Sequence, residues 1–355
     1  MKLAALQHVF ERRPNLETCV VHTGQHYDER LAHSLFTELD MKEPDVQLDV
    51  GPGTMSWQTS EILRRIDPVL DEFAPDRAIV VGDVTSTLAG ALAAANRGIP
   101  IAHVEAGLRS FDPSMPEERN RKLTDHLSDQ LFVTEPAGVD NLLREGVDPA
   151  SVHLVGNVMI DTLHRERARA ATSDVRERLG LGRSSYLLAT LHRAENVDSS
   201  DVLQEALDAL FQIARSGPVV FPVHPRTRKR IKALAGGERL RRATNLRLVE
   251  PLGYRDFLHL HAGATAVLTD SGGVQEEAAV LGIPCIIMRR NTERPSTLAT
   301  GSGRLVAPKV CALIEAWNAA ARGEWNVGPP PPLWDGQAAT RIADVLLEAA
   351  TGASD

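Results

Sequence analysis

The chain has 355 residues, 43% hydrophobic and 24% charged, with a formal net charge of −8. That length exceeds one ordinary core and favours two domains, and the acid excess disfavours a nucleic-acid-binding surface. Three cysteines (Cys19, Cys285, Cys311) are too few and too scattered for a disulfide framework or a zinc site, and no apolar run is long enough to span a bilayer, so a reducing cytoplasm is the expected location.

The opening MKLAALQHVFERR places Leu3, Leu6 and Phe10 at helical spacing and lacks the apolar core and cleavage site of a signal peptide. Short β-rich runs follow at 17–22, 77–81, 100–104, 130–133 and 152–155. A polar, Arg-rich stretch at 164–184 reads as a helix plus linker. A second set of strands is predicted at 186–191, 218–223, 246–249, 265–269 and 284–288. Helical stretches such as TSTLAGALAAANR (85–97) lie between them. Strands alternating with helices imply parallel sheets, so the fold class is α/β, with two doubly wound domains facing one another across a cleft. Such a domain should begin on a strand, yet this chain opens on a helix; the expectation is that the recorded start is late and a central strand belongs before it.

In open parallel sheets ligands collect beyond the carboxyl ends of the strands. Polar residues fall there five times: Gly82-Asp83, Glu105-Ala-Gly107-Leu-Arg109, His192-Arg193-Ala-Glu195-Asn196, His224-Pro-Arg226 and Asp270-Ser271-Gly272-Gly273. The last precedes a helix, whose free N–H groups suit a diphosphate; the plainer reading is a glycine turn capped by Asp or Ser. Glu276 and Glu277 either complement that helix dipole or, for Glu277, hold ribose hydroxyls. Tyr254 and Phe257 are either core or a platform for a base. His192 beside Arg193 and Asn196 points to anion binding. His22 and His26 lack a third ligand at metal spacing, so no metal is expected. Without G-x-G-x-x-G or G-x-x-x-x-G-K-[ST], no nucleotide cofactor is expected either.

Taken together, TGQHYD (23–28), GDVTSTLAGAL (82–92), HVEAGLRSFDPSMPEERNR (103–121), LHRAENVD (191–198), HPRTR (224–228), PLGY (251–254), TDSGGVQEEA (269–278) and NTERP (291–295) resemble the non-hydrolysing UDP-N-acetylglucosamine 2-epimerases, in order and over nearly the whole chain. The resemblance implies the glycosyltransferase-B arrangement of two Rossmann-like domains. It places an N-terminal domain at 1–163, the linker at 164–184, a UDP-binding domain at 185–333 and a helix at 334–355 that packs back on the first. It also implies a homodimer. Carried over by position, the catalytic residues are Lys2, Asp83, Glu105, Glu117 and His192. Substrate would be bound by Arg121, Phe257 (beside uracil), Ser271, Gly272, Gly273, Glu277 and Arg294.

Departures from the pattern are Val84 after Gly-Asp, Ser296 after TERP, and Trp334 before Asp335-Gly336; the family's opening strand, with its phosphate-binding arginine, would precede Met1. A second, activating substrate site would use Gln25 and His26, but Ala194 stands where that site has an arginine.

The implied reaction interconverts UDP-GlcNAc and UDP-ManNAc. The C2 proton has no adjacent carbonyl to acidify it, so the accessible route is elimination of UDP to 2-acetamidoglucal, then re-addition with protonation on the opposite face. Clustered carboxylates would push one another's pKa values apart, allowing one acid and one base. Alternatives are a UDP-2,3-diacetamido-glucuronate 2-epimerase, a hydrolysing variant releasing ManNAc, a glycosyltransferase, and an inactive UDP-sugar sensor. Gln275-Glu276-Glu277 and Thr292-Glu293-Arg294-Pro295 favour UDP-GlcNAc over the diacetamido sugar.

Overall fold

The computed structural model describes residues 1–24, 35–235, 239 and 243–352. They form two compact α/β units, residues 1–162 with 332–355, and residues 163–331.

The first unit begins with α1 (Lys2–Phe10), β1 (Val21–His22), β2 (Val46–Gln47) and α2 (Met55–Phe73). It continues through β3 (Ala78–Val81), α3 (Thr85–Asn96), β4 (Ile101–Ala106) and α4 (Pro116–Leu127). Then come β5 (Gln130–Val133), α5 (Pro136–Arg144) and β6 (Val152–Leu154). The chain passes to the second unit within α6 (Val158–Ala170), followed by the short α7 (Val175–Arg178) and β7 (Leu187–Thr190). Next are α8 (Ala194–Val197), α9 (Ser200–Ile213), β8 (Val219–Pro222), α10 (Pro225–Ala235) and β9 (Leu246–Val249). After these come α11 (Tyr254–Ala262), β10 (Ala266–Thr269), α12 (Gly272–Leu281), β11 (Cys285–Ile287) and α13 (Pro295–Ala299). The second unit closes with β12 (Gly303–Leu305) and α14 (Val310–Ala321), and α15 (Ala338–Gly352) belongs to the first. The strands β2 and β12 were not expected from the sequence. Both are two or three residues long and polar at one position or more, so they lack the apolar signature of the others.

The second unit holds one parallel sheet in the order β12-β11-β10-β7-β8-β9. Period-two alternation builds a core on each of its faces. Leu187 and Ala189 of β7 pack with Leu203, Leu207 and Leu210 of α9, whereas Leu188 faces the other way, toward Leu260 and Ala278. The strand order reverses between β7 and β10, the crevice where open sheets of this kind bind ligands.

In the first unit the sheet is divided. β1 and β2 pair with each other, and β3-β4-β5-β6 form a separate parallel sheet. A groove of about 470 Å³ is lined by both of the facing edges, at Val20 and Val21 on one side and Ile79 to Val81 on the other. Leu3, Leu6 and Phe10 of α1 also line it, as do Ile66, Val69 and Phe73 of α2. Ala5, Leu6 and Phe10 also pack with Val104, Phe132 and the Ala338, Ile342 and Leu346 face of α15.

Candidate functional site

On the first unit Asp83 and Glu105 stand at the carboxyl ends of β3 and β4. Gly82 turns the chain out of β3 with φ +77°, and a side chain there would meet Lys2 Nζ at 3.3 Å and Glu105 Oε2 at 3.5 Å. Lys2, at the start of α1, forms an ion pair with buried Glu105. Asp83 pairs with buried Arg121, whose other arm reaches Glu118 at 2.8 Å. Asn120 Nδ2 donates to the Asp83 carbonyl at 2.9 Å, fixing the turn from behind.

Glu118 was not singled out from the sequence, although it lies one residue from Glu117 and three before Arg121. Its carboxylate accepts from the Ser110 amide (2.8 Å) and hydroxyl (2.9 Å) and from the Phe111 amide (3.2 Å). Burial alone would raise this carboxyl, but those hydrogen bonds and the Arg121 charge outweigh burial and hold it below the usual range. Glu118 is thus a structural anchor, while Glu117 sits half-buried in the first turn of α4. Arg121, expected at the phosphates, is held by Asp83 and Glu118. Glu105 carries the sharpest backbone signal: it is not glycine, yet its φ is +75°, and the register of β4 against β5 shifts at this point. A left-handed acid inside a strand is costly and re-aims its side chain.

On the second unit the loops after β7 and β10 leave the sheet as neighbours, because Thr190 and Thr269 are paired. Asp270 is fully buried and does not cap α12. It accepts instead from the backbone amides of His192 (3.1 Å) and Arg193 (3.0 Å) and from Asn196 Nδ2 (3.0 Å). His192 Nδ1 lies 3.1 Å from Asp270 Oδ1, and its side chain is 52% exposed, so the ring is oriented at one nitrogen and open at its outer edge. Ser271, Gly272 and Gly273 are half-buried at the start of α12. A side chain at Gly272 would meet Glu293 at 3.3 Å and the Arg294 guanidinium at 3.5 Å, which puts Arg294 beside the free N–H groups. Arg294 is itself paired with buried Glu276. Tyr254 is not a platform for a base; it is buried and donates to Glu277 Oε1 at 2.9 Å. His261 Nδ1 approaches the other oxygen at 3.4 Å, and Phe257 packs edge-on against His261 with ring centroids 5.8 Å apart. Gln25 and His26 lie outside the described residues.

Burial would raise the Asp270 carboxyl, but the His192 hydrogen bond and charge, with Asn196 and the Arg193 amide, outweigh it and leave it below its ordinary value. The unfolded chain therefore binds this proton more tightly. The stabilisation is fully present above the ordinary carboxylate value of about 3.9 and is lost as pH falls through the depressed folded value. Asp270→Asn, with a single acceptor oxygen, is expected to be less stable at pH 7, and its stability should fall less steeply on acidification. Denaturant titrations from about pH 7 to pH 3 check this; parallel curves for parent and variant would remove Asp270 as the source.

A family model described as UDP-N-acetylglucosamine 2-epimerase matches residues 8–347. The UDP-N-acetylglucosamine 2-epimerase of Methanocaldococcus jannaschii is 40% identical over 351 residues, which is 98% of this chain and 95% of the relative. The UDP-2,3-diacetamido-2,3-dideoxy-D-glucuronate 2-epimerase of Pseudomonas aeruginosa is 39% identical, covering 98% and 96%. A crystal structure of the M. jannaschii enzyme with UDP-GlcNAc and UDP superposes with a TM-score of 0.89 at 39% identity, covering 98% of this chain and 96% of that one. With the α/β architecture of parallel sheets, these likenesses show that the chain belongs to the UDP-N-acetylglucosamine 2-epimerase family.

Proposed function

We propose that this chain interconverts UDP-GlcNAc and UDP-ManNAc without hydrolysis. The observation that carries the reading is the acid–cation cluster at the carboxyl ends of β3 and β4, with Glu105 held inside a strand in a left-handed conformation, the kind of strain that clusters at functional sites. In this reading the C1–O bond to UDP breaks and a carboxylate takes the C2 proton, giving 2-acetamidoglucal and UDP. A second acid then delivers a proton to the opposite face of C2 while a UDP oxygen re-forms the bond at C1. Asp83, Glu105 and Glu117 supply the acid–base groups, and Lys2 balances Glu105. Ser271, Gly272, Gly273 and Arg294 receive the diphosphate, Glu277 the ribose and Phe257 the uracil, while the open edge of His192 faces the developing charge. A homodimer in the cytoplasm is part of the same proposal.

The second reading, UDP-2,3-diacetamido-glucuronate as substrate, is favoured by the near-equal identity to the P. aeruginosa enzyme. Against it stand Gln275-Glu276-Glu277 and Thr292-Glu293-Arg294-Pro295, the stretches whose resemblance favours UDP-GlcNAc.

Incubation with UDP-GlcNAc in D₂O tests the proposal. Elimination and re-addition through an exchangeable acid must place deuterium at C2 of UDP-ManNAc, with no NAD added. Free ManNAc and UDP would mean a hydrolase. Retention of the original C2 proton together with a requirement for NAD would falsify the mechanism, and turnover of only the diacetamido sugar would move the assignment to the second reading.

A further inference from the structure

Beside the Gly82-Asp83 turn and the Glu105 bulge lie three ionisable side chains that are almost wholly buried. His103 is 0% exposed, Asp125 1% and Arg109 3%. His103 Nδ1 lies 2.6 Å from Asp125 Oδ1, and its Nε2 lies 2.8 Å from the carbonyl oxygen of Gly82. Asp125 Oδ2 accepts from the Gly107 amide at 3.2 Å and faces Arg109 Nη1 at 2.7 Å. Arg109 closes the chain with a two-pronged pair to Glu145, at 2.9 and 2.6 Å.

A buried ionic chain is a poor device for stability, since apolar residues of similar volume commonly do as well. Its attachments are more telling. Gly82 is the residue before Asp83. His103 stands two residues before Glu105 and Gly107 two after it, so the network grips both flanks of the one strained residue in β4. Strain of that kind persists only where the surroundings over-determine it. Gly107 is itself locked: its φ is +78° and a side chain would come within 2.5 Å of the Gly138 carbonyl oxygen.

We infer that His103, Asp125 and Arg109 are positioning residues that hold the Gly82-Asp83 turn and the Glu105 bulge at the geometry the reaction needs. The inference rests on the acid–base reading of Asp83 and Glu105. Both partners of the His103 ring are pure acceptors, a peptide carbonyl and a carboxylate, so both ring nitrogens must donate for the clamp to close. Asp125 in turn accepts from three donors on its two oxygens. Asparagine at that position would offer one oxygen and turn an N–H₂ group against another donor.

Two measurements test this on the full chain. The first is ¹⁵N NMR of His103 in the parent enzyme, where both nitrogens are expected to carry protons. A bare Nδ1 or Nε2 would break the clamp and overturn the inference, and no variant has to fold for this result. The second compares Asp125→Asn and His103→Gln with the conservative Glu145→Gln at the outer end. For the first two, kcat and the rate of deuterium entry at C2 are expected to fall about tenfold to a hundredfold, the scale of a misplaced catalytic group, with KM within about twofold. Glu145→Gln should stay near the parent. Folded variants with normal kcat and only a lower unfolding midpoint would make the network merely structural. A parent enzyme that never exchanges C2 would sink the functional reading instead, and leaves the NMR result to stand by itself.

Discussion

Glu105→Gln is expected to lower turnover by about a hundredfold or more, the usual scale for a positioned acid–base group. The substitution keeps the volume of a buried side chain but removes the charge that pairs with Lys2 and the group proposed to exchange a proton with carbon. Glutamine also keeps the backbone strain at this position, since the left-handed φ is imposed by the bulge in β4 and not by the carboxylate. Glu117→Gln is expected to act on the same scale, from the first turn of α4. UDP affinity should change far less, because the proposed diphosphate contacts are on the second unit, at Ser271 to Gly273 and Arg294. Steady-state kinetics and UDP titration of each variant separate the two effects. If either retains near-normal turnover, that residue is structural and its assignment is wrong.

The second large effect concerns the divided sheet of the first unit. In the second unit the first strand, β7, is central, with later strands on both sides. In the first unit the corresponding place is the groove between the β1 and β3 edges, with α1 over one face and α2 over the other. The groove, of about 470 Å³, is lined by side chains that are largely apolar. The start of α1 lies at the carboxyl ends of β3 and β4, where Lys2 meets Glu105, so a segment joined ahead of it would enter from the end at which a parallel strand must leave.

A six-residue Val/Ile segment and short turn joined ahead of Lys2 is therefore expected to bridge the two sheets. Burying six such side chains at about 2 kcal/mol each, against about 1.5 kcal/mol per strand residue of ordering, leaves a gain of at most roughly 3 kcal/mol, which ordering of the turn reduces. At about 2.1 cal/mol/K of unfolding entropy per residue, that corresponds to at most about 4 °C in Tm for a chain of 355 residues. Amides of Val21, Ile79 and Val81 should become protected from hydrogen exchange. The same extension with proline at alternate positions cannot complete the ladder and should do neither. Unchanged midpoint and exchange with the Val/Ile extension would mean that the groove is not a strand site.

The sequence alone settled a good deal, because its signals are local. Apolar runs such as AIVV (78–81) and QLFV (130–133) are strands in the structure, with helices between them, since burial on both faces leaves an uninterrupted hydrophobic signature. The family too was legible, from short motifs in a fixed order. What only the tertiary structure decided is which side chains answer one another across long separations. Asp270 reads as a possible helix cap in sequence, but the pairing of β7 with β10 delivers it, buried, to the amides of His192 and Arg193 seventy-eight and seventy-seven positions away. Tyr254 reads as either core or an aromatic platform, and helix packing buries it with its hydroxyl on Glu277. His103 reads as one residue of an apolar strand; only the fold brings Asp125 and the Gly82 carbonyl to its two nitrogens. The physical reason is the same in each case. Hydrophobic periodicity is written along the chain, whereas a buried polar group must find its partner wherever the closed sheet and its helices place one.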